Sequence, residues 1–425
     1  MKKTDIIIIG CGVAGLYCAL NLPRDKNILI VTKDEAPRSD SFLAQGGICV
    51  LRDDEDYDSF YEDTMRAGHY ENNPESVDIM IRSSREVIGD LVSYGVRFEK
   101  NEDGFLYTRE GAHSKPRILF HEDETGKEIT SHLLAEVRER ENITIIENYT
   151  MVDLIYDGDE CLGIIGHDSE GRYSAKYADY TVLATGGIGG LFKHSTNYRH
   201  LTGDALAVAL KYGIKLKNID YIQIHPTTLY SKHNGREFLI SESVRGEGAI
   251  LLNSKGERFV NELLPRDVVA NAIMNEMKKE GSENVWLSLA PIPVEEIKTH
   301  FPHIYQHCLD EGYDVTREPI PVVPSQHYFM GGIDVNRNSK TSMPRLYAVG
   351  ETACNGVHGK NRLASNSLLE SLVFAKRAAL DIMKSYSEIK PEREITVDKE
   401  KYANYKEEYK KAVLSAIEKE KMSRE

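Results

Sequence analysis

The chain has 425 residues, and because 53 of them are Lys or Arg and 67 are Asp or Glu, its formal net charge is −14. This acidic balance argues against a nucleic-acid partner and against an anionic membrane surface, but it does not exclude an anionic substrate in a basic pocket. The length predicts two or three domains with a substantial core.

The six cysteines are scattered along the chain. No two of them form a C-x-x-C pair, so neither a zinc site nor an iron–sulfur cluster is indicated, and no metal is expected. No signal peptide precedes the first predicted strand, and no apolar stretch approaches the ~20 residues that span a bilayer. Together these features predict a cytoplasmic protein with reduced thiols.

The most informative pattern lies at the start of the chain. The glycines Gly10, Gly12 and Gly15 have the spacing G-x-G-x-x-G. A β-branched run precedes them, and apolar runs at 16–22 and 28–31 follow. Strand, glycine turn, helix and strand form the context that a dinucleotide-binding fingerprint requires. Such glycines let the backbone approach a pyrophosphate, and the helix N-terminus offers free N–H groups to that anion.

The end of the second strand leaves the identity of the dinucleotide open. The strand ends at Val31-Thr32-Lys33 and lacks the carboxylate that usually binds a ribose hydroxyl. Asp34 and Glu35 lie just beyond and are candidates to replace it. The fingerprint alone is therefore compatible with FAD or with NAD.

Helical and strand patterns alternate over the next 150 residues, which predicts an α/β fold. Apolar residues spaced three and four apart predict helices between positions 53 and 95. The predicted elements that follow are a helix at 128–140, a strand at 143–147, a hairpin at 152–155 and 161–165, a buried strand at 180–183 and a helix at 202–210. Residues 108–117 are polar and have no regular period, so they form either a solvated loop or a loop that brings charged groups to a site.

From about residue 220 the composition changes, and residues 220–328 are interpreted as an inserted second domain. An alternating strand leads into His225-Pro226, and Pro265 suits the first turn of a helix. Residues 286–314 show no pattern that assigns them to one type of element.

Strand and helix patterns like those before residue 220 occur again after this insertion. Residues 346–349 form a short predicted strand, and a long helix is predicted to continue to about residue 385. The segment 391–425 is rich in Lys and Glu, which predicts at most one exposed amphipathic helix.

Seven charged or imidazole side chains have motif-like surroundings. They are Glu110, His225, Glu242, Arg245, Arg266, His327 and Arg362. Because arginine pairs with carboxylates through two parallel hydrogen bonds and histidine adds a donor, the set suits a dicarboxylate. Each residue also has a structural alternative: His225 as a structural histidine, Arg266 as a surface cation and Arg362 as a loop cap. Sequence spacing does not show that they converge.

Eight motifs occur in order between residues 38 and 368. They are Arg38 through Gly47 ending Ala-Gln-Gly-Gly, Thr108-Arg109-Glu110-Gly111-Ala112-His113-Ser114, Gln223-Ile224-His225-Pro226-Thr227, Arg245-Gly246-Glu247-Gly248, Pro265-Arg266-Asp267, His327-Tyr328, Gly350-Glu351, and His358 through Leu368. In combination they resemble the succinate dehydrogenase/fumarate reductase flavoprotein family. Within it they most resemble the members that oxidise L-aspartate at the first step of quinolinate and NAD synthesis.

This resemblance implies that the cofactor is FAD, since Ser or Thr followed by Lys commonly ends the second strand in the family, as in Thr32-Lys33. The implied FAD contacts are Gly10, Cys11, Gly12, Val13, Ala14, Gly15, Lys33, Asp40, Ser41, Phe42, Leu43, Ala44, Gln45, Gly46, Gly47, Thr150, Met151, Asp204, Glu351, Ser367 and Leu368. Family members with covalent FAD have a histidine five residues before the glutamine of Ala-Gln-Gly-Gly. Asp40 occupies that position here, so non-covalent FAD is expected.

The resemblance also implies roles for the charged residues. The implied substrate-binding residues are His327, Arg362, Gln223, Ser241 and Glu242, and the implied catalytic residues are Arg266, Glu110 and His225. Arg266 would carry a proton. Dicarboxylate dehydrogenases lack a carboxylate at the position of Glu110, and an anion there suits the ammonium group of aspartate.

The implied reaction is oxidation of L-aspartate to 2-iminosuccinate, with fumarate or oxygen as electron acceptor. Quinolinate synthase is a candidate partner. One alternative is a soluble fumarate reductase or succinate dehydrogenase flavoprotein, and another is a flavin-binding module without catalysis.

The implied architecture is a Rossmann-like FAD-binding domain with an inserted α+β capping domain and a short C-terminal helical tail. Residues 1–219 and 329–385 are assigned to the FAD-binding domain, 220–328 to the capping domain and 386–425 to the tail. The family usually has a longer C-terminal helical domain, and activity is expected to persist without it. The 108–117 loop is also less basic and contains fewer histidines than in longer relatives.

Overall fold

The structure, a computed structural model, describes residues 3–102, 104–231, 235–390 and 395–424. The α-helices of these residues are α1 (Val13–Leu20), α2 (Tyr57–Ala67), α3 (Pro74–Ser93), α4 (Thr125–Arg138), α5 (Asp204–Lys211), α6 (Glu242–Gly246), α7 (Arg266–Glu280), α8 (Val294–His300), α9 (Pro302–Asp310), α10 (Asn366–Lys384) and α11 (Tyr405–Arg424). Within the same residues, no helix is long and apolar enough to cross a membrane.

The strands of the described residues are β1 (Lys3–Ile9), β2 (Ile28–Val31), β3 (Ile48–Cys49), β4 (Lys100–Asn101), β5 (Gly104–Phe105), β6 (Ile118–Leu119), β7 (Ile143–Ile146), β8 (Thr150–Tyr156), β9 (Cys161–His167), β10 (Tyr173–Leu183), β11 (Leu216–Lys217), β12 (Ile222–Leu229), β13 (Phe238–Leu239), β14 (Ile250–Leu252), β15 (Val285–Ser288), β16 (Ile320–Phe329), β17 (Gly332–Asp334), β18 (Leu346–Ala348) and β19 (Ala353–Cys354). The segment 286–314, which has no clear sequence pattern, supplies most of β15 together with α8 and α9.

The largest sheet contains seven strands around β1. Its order is β7-β2-β1-β10-β9-β8, with β18 also paired to β10. Strands β7, β2, β1, β10 and β18 are parallel, whereas the hairpin β8–β9 is antiparallel. The four isoleucines of β1 are buried because this strand lies in the middle of the sheet, with α1, α10 and α4 packed on one face. This confirms the expected α/β architecture and the strand–turn–helix–strand opening.

A second sheet, of five antiparallel strands, has the order β13-β12-β16-β15-β14. Helices α7, α8 and α9 enclose its own apolar cluster, which includes Val269, Ile297 and Ile304. The pairing of β12 with β16 shifts register between Gln223 and Ile224 and again between His225 and Thr228. Such bulges bend a strand and redirect its side chains, and a proline is compatible with one because it needs no ladder partner. Whether residues 220–328 move as one domain stays a prediction.

The C-terminal segment corrects one expectation. Residues 391–394 of it lie outside the described residues, and α11 covers most of the rest. This helix is not simply exposed: Tyr405 and Val413 are buried, and the helix packs against α5. The Tyr402 hydroxyl just before it donates to Asp153 Oδ2 at 2.9 Å. These few aromatic and apolar contacts could not be predicted from a segment whose composition is mostly charged.

Candidate active site

One long cleft runs from the carboxyl ends of β1, β2, β10 and β18 to the five-stranded sheet. Its lining extends without a break from the glycines that follow β1 to Glu242 and Arg266, so the dinucleotide end and the charged end belong to one cleft. Its position outside the carboxyl ends of parallel strands is the usual place for a ligand in an open α/β sheet.

Backbone groups and glycines form the end of the cleft near β1. Gly10 has a φ of +116°, and a Cβ there would lie 2.0 Å from the carbonyl oxygen of Ala184. A Cβ on Gly15 would lie 2.2 Å from the Gly10 carbonyl oxygen, so helix and turn pack too closely for any side chain. Helix α1 begins at Val13, and its N-cap residue, Gly12, has no side chain to cap the first turn. The Val13 N–H donates to Ser41 Oγ at 3.1 Å, and Val13 and Ala14 line the cleft, so this helix N-terminus lies where an anion-binding turn requires it.

Unpartnered polar atoms in the same region fit a large polar cofactor. Ser39 Oγ, Asp40 Oδ2 and Gln45 Oε1 are buried, and none has a hydrogen-bond partner among the described residues. Buried polar atoms are normally paired, so atoms of this kind beside a cleft indicate a ligand that supplies the partners. Lys33 Nζ, by contrast, already donates to Asp204 Oδ2 at 2.7 Å and to the His200 carbonyl oxygen at 2.9 Å.

Two buried acids line this end of the cleft. Burial raises the pKa of Asp40 to about 7, although the backbone N–H of Tyr198 donates to its Oδ1. Burial and the nearby Asp40 raise the pKa of Glu351 to about 8, and its Oε1 accepts from the Phe329 N–H at 3.0 Å. Both acids are thus able to donate a hydrogen bond to a bound ligand near neutral pH.

Most of the predicted cofactor residues line the cleft. They are Gly10, Cys11, Gly12, Val13, Ala14, Lys33, Asp40, Ser41, Leu43, Ala44, Gln45, Gly46, Gly47, Met151, Asp204, Glu351, Ser367 and Leu368. Gly15, Phe42 and Thr150 do not. Gly15 instead permits the helix–turn contact, Phe42 packs on the core, and the neighbours of Thr150, Tyr149 and Met151, face the cleft. A contact from these three residues to the cofactor stays a prediction.

At the opposite end, side chains from distant segments form one buried charged network. Arg266, the first residue of α7, donates from Nε to Glu242 and from Nη1 to Gln223 Oε1 at 2.9 Å. Arg362 Nε donates to the same oxygen of Gln223 at 3.2 Å. Gln223 lies behind the cleft rather than on its surface, and it orients both guanidinium groups. Its predicted contact with the substrate stays a prediction.

Glu242 and Arg245 extend this network on α6. Burial opposes ionisation of Glu242, but the charges of Arg266 and Arg245 outweigh it and hold the pKa of Glu242 below its usual value. The Nη2 atom of Arg245 lies 3.7 Å from Glu242 Oε2, and its Nη1 donates to the Glu262 carbonyl oxygen at 2.5 Å. The result is a chain of alternating charges, Arg266–Glu242–Arg245, that leads away from the cleft.

Glu110 lies in the cleft between two serine hydroxyls. Ser243 Oγ donates to its Oε1 at 2.9 Å, and Ser365 Oγ donates to its Oε2 at 2.6 Å. Burial and the nearby Glu242 raise the pKa of Glu110. A Cβ on Gly46 would lie 2.5 Å from Glu110 Oε1, and one on Gly111 would lie 2.5 Å from Glu242 Oε1. Each carboxyl group therefore occupies space that a glycine leaves free.

Two neutral histidines line the cleft near Arg266. Burial lowers the pKa of His225 and His327 well below the usual value, and the neighbouring arginines lower it further. His225 Nδ1 lies 3.1 Å from both the backbone N–H and the carbonyl oxygen of Thr227, and its buried Nε2 has no partner among the described residues. His327 Nδ1 is 2.8 Å from Thr196 Oγ1. His225 thus leaves Nε2 available for a hydrogen bond to a ligand.

Arg362 is held against an aromatic ring. Its guanidinium carbon lies 4.4 Å from the centre of the Tyr328 ring, and its Nη1 donates to Ser367 Oγ at 2.7 Å. Burial and the charge of Arg266 lower the pKa of Arg362 to about 10. The group remains a cation at neutral pH, and it is oriented by stacking and by hydrogen bonds before any carboxylate binds.

The 108–117 segment is a site loop anchored by buried charges. Arg117 is fully buried and pairs with Asp56 and Asp63, at 3.0 and 2.7 Å. Its Nη1 is also 3.0 Å from His113 Nδ1, while His113 Nε2 is 3.0 Å from the Ala364 carbonyl oxygen. Burial and the Arg117 charge lower the pKa of His113 to about 4, so its ring is neutral. The loop thereby links α2 to the segment that carries Arg362 and Ser365.

The sequence reasoning missed several residues of the cleft. Among them are Tyr328, Ser365, Thr196, Asn197, Tyr149 and Arg236. Ser365 and Tyr328 lie inside motifs that were recognised, so their position was available although their contacts were not. Thr196 and Asn197 lie in no motif.

Comparison with known proteins gives consistent matches. The family described as "FAD binding domain" matches residues 5–368. The L-aspartate oxidase of Clostridium perfringens is 53% identical over 384 residues, which covers 90% of this chain and 87% of that protein. The L-aspartate oxidase of Pseudomonas aeruginosa is 41% identical over 402 residues, covering 89% of this chain and 74% of that protein.

Solved structures give the same fold. A mutant of E. coli quinol fumarate reductase FrdA superposes with a TM-score of 0.85 at 27% identity, covering 99% of this chain and 74% of that one. A quinol–fumarate reductase with menaquinol molecules has a TM-score of 0.85 at 29% identity, covering 90% and 72%.

Proposed function

The chain belongs to the FAD-binding flavoprotein family that these matches define, and from this premise we propose that it oxidises L-aspartate to 2-iminosuccinate with fumarate as electron acceptor. The curated relatives cited above are L-aspartate oxidases at 41% and 53% identity. The reaction is the first step of NAD synthesis through quinolinate. The enzyme is an FAD-dependent oxidoreductase.

The observation that carries the assignment to aspartate is the position of Glu110. Arg266, Arg362 and His225 line one cleft and suit two carboxylates. A dicarboxylate without an amino group brings no positive group of its own to face Glu110. The ammonium group of aspartate supplies that charge, so the whole set of side chains matches an amino dicarboxylate better than succinate.

Each side chain has a role that follows from its contacts. Arg362 and His327 bind one carboxylate, and His225 forms a hydrogen bond to the substrate through Nε2. Glu110 faces the amino group. Bound FAD supplies the two-electron acceptor for the hydrogen that leaves the α-carbon. The charged side chains at this end are buried, so they hold the substrate in one orientation and strengthen each electrostatic contact.

Arg266 is proposed to move a proton at the substrate. An arginine is normally fully protonated, so it serves more readily as a proton donor, as fumarate reduction requires, than as a base. The ion pair with Glu242 and the next charge on Arg245 offer a path by which the donated proton is replaced. Residues 220–328, which carry these groups, are proposed to act as a domain that caps the cleft.

FAD is proposed to bind without a covalent bond. The support is the carboxyl group of Asp40, which stands where covalent members of the family carry a histidine and which lines the cleft. Acid precipitation should release all yellow flavin into the supernatant. Flavin that stays with the pellet after washing would refute the proposal.

Oxygen as a second acceptor and quinolinate synthase as a partner are also proposed. The support for the partner is chemical, since an imine hydrolyses in water and benefits from rapid transfer. Oxygen consumption during aspartate oxidation tests the first proposal. The second proposal is tested by measuring the quinolinate yield with quinolinate synthase present. An excess of an inactive variant of this chain, which competes for the synthase, should lower that yield.

One anaerobic experiment tests the main proposal. L-Aspartate added to the purified holoenzyme should bleach the flavin absorbance, and fumarate added afterwards should restore it. Succinate is the matched control because it has both carboxylates and no amino group. Bleaching by succinate but not by aspartate would instead identify a succinate dehydrogenase or fumarate reductase.

A further inference from the structure

The cleft must accept two ligands that differ in charge. Aspartate carries two carboxylates and one ammonium group, whereas fumarate carries the two carboxylates alone. Buried charge without a partner is strongly unfavourable. A site that binds both ligands therefore needs a group that changes its charge between them.

The charges around Glu110 show why this residue meets the requirement. Five side chains interact electrostatically with Glu110. They are Glu242 and Arg245 of α6, Arg266 of α7, Arg362 of the segment before α10, and the thiol of Cys49 in β3. His113 on its own loop is neutral.

Three arginine charges thus surround the two carboxylates of Glu110 and Glu242, which leaves one positive charge in excess. Aspartate, with a net charge of minus one, balances the cluster while Glu110 is ionised. Fumarate, with a charge of minus two, balances it only when Glu110 holds a proton.

The two serines accommodate either form of the carboxyl group. A serine hydroxyl donates a hydrogen bond to a carboxylate and, after rotation, accepts one from a carboxylic acid. The Ser365 and Ser243 hydroxyls contact one oxygen of Glu110 each, at 2.6 and 2.9 Å. An amide or guanidinium donor in either place would stabilise only the anion.

A route for the proton lies beside Ser243. A second, much smaller cavity is lined by Ser243 and Ser241, by Phe120 and Phe301, and by Glu122, Glu247 and His300. The side chains of Glu122 and His300 are partly exposed, and His300 Nδ1 is 2.9 Å from Glu247 Oε2. Glu110 is therefore separated from titratable surface groups by the Ser243 hydroxyl and this small cavity.

We propose, on the basis of the proposed function, that Glu110 binds a proton together with fumarate and releases it when aspartate binds. In this proposal Ser243 and Ser365 position the Glu110 carboxyl group and set the preference between the two ligands. Because both hydroxyls donate to the carboxylate, they favour its ionised form and hence aspartate.

Calorimetry on the oxidised holoenzyme tests the proton step. Fumarate and 2-methylaspartate, which has no α-hydrogen and so is not oxidised, are titrated near neutral pH in buffers of different ionisation enthalpy. Fumarate should bind with uptake of up to one proton per site, 2-methylaspartate with less, and the uptake should vanish in Glu110→Gln. Fumarate binding without uptake, or with the same uptake in Glu110→Gln, overturns the proposal.

Serine variants test the positioning step. Ser365→Ala and Ser243→Ala should each raise the ratio of the Kd for 2-methylaspartate to the Kd for fumarate by about tenfold, the usual effect of losing a hydrogen bond to a charged group. Ser339→Ala is the matched control. Ser339 is also buried, and its φ of 63° is close to the 61° of Ser365. Its hydroxyl donates to the Phe374 carbonyl oxygen at 3.1 Å rather than to a carboxylate.

An unchanged ratio in both active-site variants overturns the role of the serines. A proportional loss of affinity for both ligands would show a merely structural effect and also overturns it. Flavin bleaching by L-aspartate is measured on every preparation. If bleaching is intact and proton uptake is absent, this inference fails alone; if aspartate does not bleach the flavin, the proposed function fails.

Discussion

The two ends of the cleft are built in different ways. At the dinucleotide end, glycines and helix N–H groups come from one contiguous stretch that follows β1, and their contacts are set by local backbone geometry. At the substrate end, the side chains come from separate segments. Hydrogen bonds join Arg266 to Glu242 and join both Arg266 and Arg362 to Gln223, whereas Glu110 is held by Ser243 and Ser365. Substitutions at the two ends should therefore have different effects on cofactor binding and on turnover.

The difference also separates binding from chemistry. A backbone turn offers a fixed set of donors to a phosphate, and it fails only when the turn itself is distorted. A network of buried charges depends on each member, because loss of one leaves the others unpaired in a dry environment. Variants at the first end should lose cofactor, and variants at the second end should keep cofactor and lose turnover.

The largest effect is expected at the glycine turn. Gly10→Ala should abolish FAD binding, because the added Cβ would overlap the Ala184 carbonyl at 2.0 Å and the backbone has a φ of +116°. Flavin absorbance per protein after purification measures this. Gly158→Ala is the control, since Gly158 has a φ of +111° and open space around it. Equal flavin content in the two variants would show that the turn tolerates a side chain.

The next effect is expected at Arg266. Arg266→Leu should retain FAD and lower kcat for aspartate and for fumarate by roughly a thousandfold, the range of a lost proton donor. Glu242 then loses its partner, and its pKa should rise. Stopped-flow flavin reduction measures the rate, and Arg82→Leu, which removes an exposed ion pair with Asp78, is the control. Near-normal turnover in Arg266→Leu would refute the assigned role.

A smaller effect, on stability, is expected at the buried support of the site loop. Arg117→Met leaves Asp56 and Asp63 buried without their cation and should lower the free energy of unfolding by about 4 kcal/mol. Arg172→Met breaks an exposed pair with Asp168 at 2.7 Å and should cost about 0.5 kcal/mol or less. Urea unfolding of the two holoenzymes measures both values. Similar decreases in the free energy of unfolding for the two variants would contradict the expectation that the buried ion pairs contribute more to stability than the exposed pair.

The smallest effect is a pH dependence at His113. Its pKa is about 4 in the folded chain and 6.5 in the unfolded chain, so between these values the unfolded state binds more protons. Stability is therefore lost as the pH falls from 6.5 towards 4, by at most about 3 kcal/mol from this residue. His113→Gln, which stays neutral, should show a shallower decline in Tm over this range. A slope equal to that of the native enzyme would exclude the contribution.

The same contrast explains what the sequence could predict. The parallel strands around β1 and the glycine turn follow from local patterns and were predicted, although β10 begins at Tyr173, seven residues before the predicted start. The charged residues of the substrate end were identified, yet only through their motifs. Their convergence depends on the bulges in β12 and on the pairing of segments more than a hundred residues apart, such as Gln223 with Arg362.

Other contacts could not be predicted from the sequence. Ser243 and Ser365 are small polar residues whose importance comes from the single carboxyl group that they contact. The burial of Arg117 was not visible because a run of charged residues usually indicates solvent exposure. The packing of α11 rests on a few aromatic side chains within a Lys/Glu-rich segment. In each case tertiary contacts outweighed composition.

The space that Gly46 leaves for Glu110 restricts how this specificity arises in evolution. Because a Cβ at position 46 would lie 2.5 Å from Glu110 Oε1, a side chain there would push this carboxyl group away from its present position between Ser243 and Ser365. A glycine at 46 is therefore expected to precede or accompany an acid at 110 that is held in this position. The order of substitutions is thus constrained, and the two positions should vary together rather than independently among descendants.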